Sequence, residues 1–155
     1  PELFEGGKTP QQMVQNIDIG PTVLAEAGVK QPENMPGVSF IPLLTGTSEV
    51  ASRTEIVYEY YWEYDFPMTP TGFGMRSEQY KYIKYHGIWD RNELYDLKND
   101  PEEMYNLIAD PDKQKIAKSM SAAIYDWLEA TNGMNIPLKR TVKYRFGDFK
   151  HKNEH

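Results

Sequence analysis

Alternation of apolar and polar residues dominates the middle of the chain. Residues 53–63 suit a strand, because one face would hold Ile56, Tyr58, Tyr60 and Trp62 and the other Val57, Glu59, Tyr61 and Glu63. Most of the apolar positions in this stretch hold aromatic or β-branched side chains. Residues 73–77 and 80–85 form two more runs, separated by a Ser-Glu-Gln turn, and residues 93–97 form a fourth, shorter one. A period of two is typical of strands, and short connections favour antiparallel neighbours. The pattern therefore predicts a meander of three to four antiparallel strands.

A helical period replaces this alternation after residue 110. Asp110 is a good N-cap, Pro111 suits the first helical position, and the Asn-Gly pair at 132–133 ends the segment. Between these signals the apolar side chains recur at the spacing of a single helical stripe. They are Ile116, Met120, Ala123, Ile124, Trp127 and Leu128. We predict a helix over residues 111–131 whose stripe, Trp127 included, packs on the inner face of the sheet.

A shorter helix is predicted over residues 18–28. Asp18 can cap it, Pro21 fits its early turn, and Gly28 suits the left-handed position at its end. Residues 30–50 carry several prolines and glycines, which predicts a long connection. After residue 133 the periodicity is lost, and residues 134–155 are basic and polar.

The stretch 92–107 joins the last predicted strand to a turn. Asn99, Asp100 and Pro101 are turn formers, because Asx side chains bond nearby backbone and proline lacks an N–H donor. Apolar side chains on both sides of the turn are expected to anchor it to the core. These anchors are Leu94, Leu97, Met104 and Leu107.

Composition and charge narrow the class of protein. The chain has 155 residues, of which 39% are hydrophobic and 26% are charged, and this suits one globular domain. Its net charge of −6 argues against a nucleic-acid partner, because phosphate binding needs clustered Lys and Arg. No apolar run approaches the ~20 residues that span a bilayer. We therefore expect no nucleic acid and no membrane span, and the absence of cysteine leaves the redox compartment open.

Four motifs of this chain resemble those of arylsulfatase-type sulfatases. Glu-Leu-Tyr-Asp-Leu at 93–97, followed by Asp-Pro-Glu-Glu and then Asn-Leu, is similar to the C-terminal signature of that family. The segment Asp-Ile-Gly-Pro-Thr-Val-Leu at 18–24 and the element Gly-Val-Ser-Phe-Ile-Pro-Leu-Leu at 37–44 match in order and spacing. Arg-Ser-Glu-Gln-Tyr-Lys-Tyr-Ile at 76–83 resembles a strand of the family. Together the motifs extend the resemblance over most of residues 10–130.

The resemblance implies a fold class and a division of the chain. We expect an α+β subdomain in which a small antiparallel sheet of about four strands carries a long C-terminal helix on one face. This is the C-terminal subdomain of an alkaline-phosphatase-like sulfatase fold. Residues 1–50 would end the catalytic α/β domain, residues 51–133 would form the subdomain, and residues 134–155 would be a basic tail.

The same resemblance implies that the parent protein is a sulfuric-ester hydrolase acting on sulfated sugars such as N-acetylglucosamine-6-sulfate. Such enzymes use calcium and a formylglycine, which is made from the first residue of a Cys/Ser-x-Pro-x-Arg motif. This chain has no cysteine, and none of its serines begins that motif. We therefore assign no catalytic or metal-binding residue and expect this stretch alone to be inactive. Its expected partners are the missing N-terminal catalytic domain and a sulfated sugar, and a periplasmic or secreted bacterial location is expected.

Substrate contacts are expected on the connections between strands, because in related sulfatases this subdomain abuts the catalytic cleft. The candidates are Trp62, Tyr64, Asp65, Arg76, His86, Trp89 and Arg91. Arg76 and Lys81 occupy motif positions, and we expect them to pair across strands with Glu59 or Glu63. Bidentate recognition of sulfate by Arg76 is the alternative.

Two other functions stay open at this point. One is phosphoester or phosphonate hydrolysis, which the same superfamily performs on the same scaffold. The other is a free-standing carbohydrate-binding or interaction module. An exposed apolar patch on the chain would indicate a missing partner domain.

Overall fold

The four alternating segments form one antiparallel sheet. The computed structural model describes residues 6–7, 9–47, 53–63, 69–87 and 91–136. The strands are β1 (Glu55–Tyr60), β2 (Thr71–Ser77), β3 (Tyr80–His86) and β4 (Glu93–Asp96). Each strand pairs with its neighbours in sequence, in the order β1-β2-β3-β4, as short connections require. The predicted meander is confirmed.

The described α-helices are α1 (Ile19–Glu26), α2 (Ile41–Thr45) and α3 (Gln114–Ala130), and single turns of 3₁₀ helix occur at Asn16–Asp18 and Leu107–Ala109. One turn of 3₁₀ helix, Pro111–Lys113, precedes α3, and the Asp110 side chain caps it by accepting a hydrogen bond of 2.9 Å from the backbone N–H of Asp112. The helix α3 packs on β2 and β3 and covers one face of the sheet. This arrangement confirms the α+β class with the long helix on one face.

The core lies between α3 and the sheet. Alternate residues of the strands point toward the helix, and the helix contributes residues spaced one turn apart. The fully buried members are Phe73, Met75, Tyr82, Leu94, Ala117, Met120, Ile124 and Leu128. Because α3 packs on this face, the opposite face of the sheet remains uncovered by the described residues.

The structure corrects the prediction that Trp127 is a core residue. Its side chain is 44% exposed, and its indole N–H donates a hydrogen bond of 2.7 Å to Glu59 Oε1. The buried stripe of α3 is centred on Ala117, Met120 and Ile124, which places Trp127 at the border of the stripe. An amphipathic pattern shows that a helix has an apolar side but does not determine how it rotates against its neighbour.

The segment after β4 is a turn held by two aspartates. Asp96 accepts backbone hydrogen bonds of 3.2 Å from Lys98 and Asn99, and its side chain is buried. Asp100 accepts backbone hydrogen bonds from Met104 and Tyr105 at 3.1 and 2.9 Å. The Asx chemistry expected from the sequence therefore forms the turn.

The four expected anchors of this turn have different outcomes. Leu94 is fully buried and Leu107 packs against the core, whereas Leu97 is only half-buried and is not among the residues of the core cluster. The prediction is wrong for Met104, which is 72% exposed. The backbone reason is local: Glu103 adopts a left-handed conformation with φ of 55°, and Asp100 binds the following N–H groups. This local backbone geometry leaves the Met104 side chain in solvent.

Asp18 does not cap α1, contrary to the sequence prediction. Its carboxylate is almost fully buried and accepts two hydrogen bonds from Arg53, at 2.5 Å to Nη1 and 2.9 Å to Nη2. It also accepts the backbone N–H groups of Gln15 at 2.8 Å and Val38 at 2.9 Å. Arg53 lowers the pKa of Asp18 from 3.8 to about 2, against the opposing effect of burial. Asp18 thus ties together three segments that are distant in sequence.

We expect this ion pair to make stability depend on pH below pH 4. The pKa of Asp18 is lower in the folded state than in the unfolded chain, so its stabilisation is complete above pH 3.8 and is lost as the pH falls toward 2. The difference between the two pKa values corresponds to about 2 kcal/mol. Urea unfolding of the unmodified protein and of Asp18→Asn, at several pH values between 6 and about 2, measures it. Their difference in stability should shrink toward low pH, and a constant difference would contradict the assignment.

Candidate functional site at one end of the sheet

Antiparallel pairing brings the β1–β2 and β3–β4 connections to the same end of the sheet. The backbone N–H of Trp62 donates a hydrogen bond of 3.0 Å to Thr71 Oγ1, and Thr71 pairs with His86 in the β2–β3 register. Thr71 is buried, whereas His86 is exposed. We call the end formed by Trp62, Thr71, His86 and Arg91 the loop end of the sheet.

Side-chain amides hold the β4 side of the loop end in place. Asn92 Oδ1 accepts the backbone N–H of Tyr85 at 3.1 Å, and Asn106 Nδ2 donates to the carbonyl of Asn92 at 3.2 Å. Asn106 Oδ1 in turn accepts the N–H of Leu94 at 3.1 Å. Arg91, which is exposed, therefore emerges from a backbone that is fixed at the next residue.

A hydrogen-bonded group next to the loop end joins β1 to the end of α3. The Tyr61 hydroxyl lies 2.7 Å from Glu59 Oε2 and 2.8 Å from the carbonyl oxygen of Gly133. Burial and the Glu59 carboxylate raise the pKa of Tyr61 to about 12. The phenol is therefore a neutral donor at neutral pH, and together with the Trp127 indole it gives each carboxylate oxygen of Glu59 one hydrogen bond. Because these hydrogen bonds connect β1 to the end of α3, we assign the group a structural role rather than acid–base chemistry.

Three of the predicted substrate-contacting residues come together in the structure. Trp62, His86 and Arg91 all lie at the loop end. Tyr64, Asp65 and Trp89 fall outside the described residues, on the two connections that start and finish at this end.

Arg76 lies near the opposite end of the sheet. It is five residues along β2 from Thr71, which corresponds to about 17 Å of strand. A single sugar unit therefore cannot contact both Arg76 and the loop end.

The expected pairing of Arg76 and Lys81 with Glu59 or Glu63 is wrong. Lys81 Nζ forms its ion pair with Glu103. Glu59 is opposite Phe73 in the register, so it lies on the α3 side of the sheet, whereas Arg76 and Lys81 are paired with each other on the other side. Glu63 accepts a hydrogen bond of 3.2 Å from the Tyr60 hydroxyl. Because side chains alternate between the two faces of a strand, the Glu59 carboxylate and the charges of Arg76 and Lys81 lie on opposite faces of the sheet.

The sequence analysis missed a groove on the face of the sheet that points away from α3, which we call the outer face. The groove has a volume of about 720 Å³, and apolar and aromatic side chains of β1 and β3 line it. Gly72 and Gly74 of β2 form its floor between those strands. The signal was present as two glycines at alternate positions of a strand, which often marks close approach of another group.

The described residues do not fit the implied calcium ion. They contain no group of three or more His, Cys, Asp or Glu side chains placed to hold a metal ion. Among the same residues, no helix combines the length and the apolar character that crossing a bilayer requires.

Comparison with known proteins gives a consistent result. The family model described as "N-sulphoglucosamine sulphohydrolase, C-terminal" matches residues 1–130. An N-acetylglucosamine-6-O-sulfatase of Bacteroides thetaiotaomicron is 27% identical over 147 residues, covering 94% of this chain and 26% of that protein. A Delta 4,5-hexuronate-2-O-sulfatase of the same organism is 36% identical over 113 residues, covering 72% of this chain and 23% of that protein.

A solved structure shows the same similarity in three dimensions. It holds a protein in complex with its substrate D-glucosamine-2-N,6-O-disulfate, and it superposes with a TM-score of 0.76 at 26% identity. The match covers 90% of this chain and 29% of that protein. The chain thus spans about a quarter of the length of the relatives it matches.

Proposed function

The chain belongs to the N-sulphoglucosamine sulphohydrolase C-terminal family, and we propose that it is the C-terminal part of a sulfatase that hydrolyses sulfate esters of sulfated sugars. The observation that carries the proposal is the family match over residues 1–130. The relatives named above act, by their names, on sulfated glucosamine and hexuronate units, which supports sugars as the substrate class. Catalysis is a property of the whole protein, because this chain corresponds to about a quarter of those relatives.

We place the calcium ion and the formylglycine in a catalytic domain outside this chain. The described residues offer no metal-binding group, and the chain has no cysteine. A covering domain would also bury the exposed apolar side chains that lie on and around α1. They are Val14, Ile17, Ile19, Val23, Val29 and Val38. Residues 1–50 would belong with that domain, residues 51–133 would form the subdomain, and residues 134–155 would be its tail.

In this proposal the loop end forms part of the wall of the substrate cleft. Trp62, with Asp65 and Trp89 on the adjoining connections, would offer aromatic and polar contacts to a sugar. His86 and Arg91 would donate hydrogen bonds to its hydroxyl or sulfate oxygens. Arg76 would not take part, because it lies at the far end of β2.

The proposal is tested by substrate choice in the complete protein. We expect sulfate release from N-acetylglucosamine-6-sulfate or a 2-sulfated hexuronate, with kcat/KM at least about 100-fold above that for a phosphate monoester or phosphonate of the same leaving group. Preference for the phosphorus ester would favour the alternative function, a phosphoester or phosphonate hydrolase. That alternative has less support, because the proteins named above are sulfatases. Sugar binding without hydrolysis would favour a binding module.

Replacing His86 by Ala in the complete enzyme is expected to raise KM about tenfold and to change kcat little, because one substrate contact of about 1.4 kcal/mol is removed. Steady-state kinetics on the sulfated sugar measure this. Glu78→Ala is the matched control, since Glu78 is an exposed residue in the turn at the opposite end of the sheet. If His86→Ala and Trp62→Ala both behave like Glu78→Ala, the loop end does not contact substrate.

A further inference from the structure

The outer face of the sheet is apolar where solvent contact would favour polar residues. An antiparallel sheet with one solvated face alternates apolar residues on the core side with polar residues on the other. Here β1 and β3 carry apolar or aromatic residues on both sides. Those on the outer face are Ile56, Tyr58, Tyr60, Ile83 and Tyr85. This pattern is typical of a sheet that is covered on both faces.

Contacts among the described residues do not explain the glycine at position 74. A Cβ atom at Gly74 would meet Tyr58 Cβ and the Tyr82 carbonyl oxygen at 3.8 Å, which is ordinary van der Waals contact. The sheet would therefore accept a side chain there, and that side chain would project into the groove. A strand glycine that its own fold does not require indicates close approach of something from outside.

The width of the groove and the charges around it indicate which kind of group covers the outer face. The strands β1 and β3 flank β2, so their backbones are about 9.6 Å apart, a spacing close to the ~10 Å diameter of a helix. Arg76 is exposed at one end of the groove and forms no ion pair with any described residue. Glu93 of β4, beside β3, accepts hydrogen bonds from the hydroxyls of Tyr85 and Tyr95. Because its carboxylate is negatively charged, it disfavours a sulfated sugar as the group that binds the groove.

We propose that the outer face is the docking surface for a helix from the remainder of the same polypeptide. That helix presents an apolar stripe to the glycine floor and a carboxylate to Arg76. The proposal rests on the proposed function in one respect, that this chain is the C-terminal part of a longer sulfatase. Its relatives are about four times longer than the match, which leaves ample chain to form the covering layer.

Two tyrosines of this chain provide an internal comparison that needs no substitution. Tyr58 on the outer face is 62% exposed and Tyr105 on the turn after β4 is 72% exposed. Hydroxyl-radical footprinting of the complete, unmodified protein, read by mass spectrometry, compares their oxidation. We expect Tyr58 to be oxidised about tenfold less than Tyr105, because a side chain in a packed interface loses access to solvent. Equal oxidation of the two tyrosines would overturn the proposal.

Gly74→Val tests the same surface from the floor of the groove. Valine suits a strand, so the sheet itself should accept it, but its methyl groups would occupy the space of the docked helix. We expect Tyr58 in this variant to be oxidised at close to the rate of Tyr105.

Protection of Tyr58 that needs added sulfated sugar, or that grows with protein concentration, would identify a sugar or a second copy as the occupant and overturn the proposal. Assay of the same unmodified sample separates the two conclusions: protection without sulfatase activity removes only the proposed function, and activity without protection removes only the docking surface.

Discussion

Asp18→Asn is expected to destabilise the segment around α1 by about 3–5 kcal/mol, because it breaks a buried ion pair from one side. Asparagine keeps the volume but carries no charge, so Arg53 loses its partner. The amide N–H₂ group would also face donors where the carboxylate now accepts the N–H groups of Gln15 and Val38. Hydrogen exchange in the complete protein measures the effect as faster exchange of the Val38 amide.

Glu26→Gln is the matched control for this change. It removes one carboxylate from the last residue of α1, where Glu26 is exposed. A surface substitution of this kind should stay within about 0.5 kcal/mol of the unmodified protein. If both variants exchange Val38 at the same rate, the ion pair does not hold the three segments together.

Leu94→Ala is expected to cost about 2–5 kcal/mol of unfolding free energy, because it leaves a cavity between the sheet and α3. Leu94 has no exposed surface and is opposite Tyr82 in the β3–β4 register. It belongs to the same buried cluster as Ile124 and Leu128 of α3. Denaturant unfolding with tryptophan fluorescence would follow the loss, since Trp127 lies near the end of α3.

Met104→Ala tests whether burial, rather than a place in the same sequence motif as Leu94, determines the loss of stability. Met104 follows Leu94 in the strand–turn segment, yet it is exposed to solvent. Its truncation should change stability by less than about 0.5 kcal/mol. A loss comparable to that of Leu94→Ala would contradict the assignment of Met104 to the surface.

The local pattern of apolar and polar residues was sufficient to predict the strands and the long helix. Alternation defined the strands to within a few residues, and Asp110 with Pro111 identified the start of the helical region that becomes α3. These signals work because strand and helix periods are properties of neighbouring residues. The order of the sheet followed as well, since short connections leave antiparallel neighbours as the simple solution.

The candidate site was only partly predictable. Short connections place Trp62 and His86 at the same end of the sheet, and sequence order alone supports that grouping. Arg76 was grouped with them because its chemistry suits sulfate, but the length of β2 separates it from them. The residues of the groove were overlooked, because apolar positions on both faces of one strand look like an ordinary core pattern.

The sequence by itself determined the family, the strand–turn–strand order and the long helix, because motifs and periods are written in short stretches of chain. Only the tertiary structure decided which side of each element is covered and which charges meet. Asp18 binds Arg53 instead of capping its own helix, and Trp127 turns from the core to Glu59. Such choices depend on groups brought together from distant parts of the chain, where burial and hydrogen-bond geometry outweigh local preference.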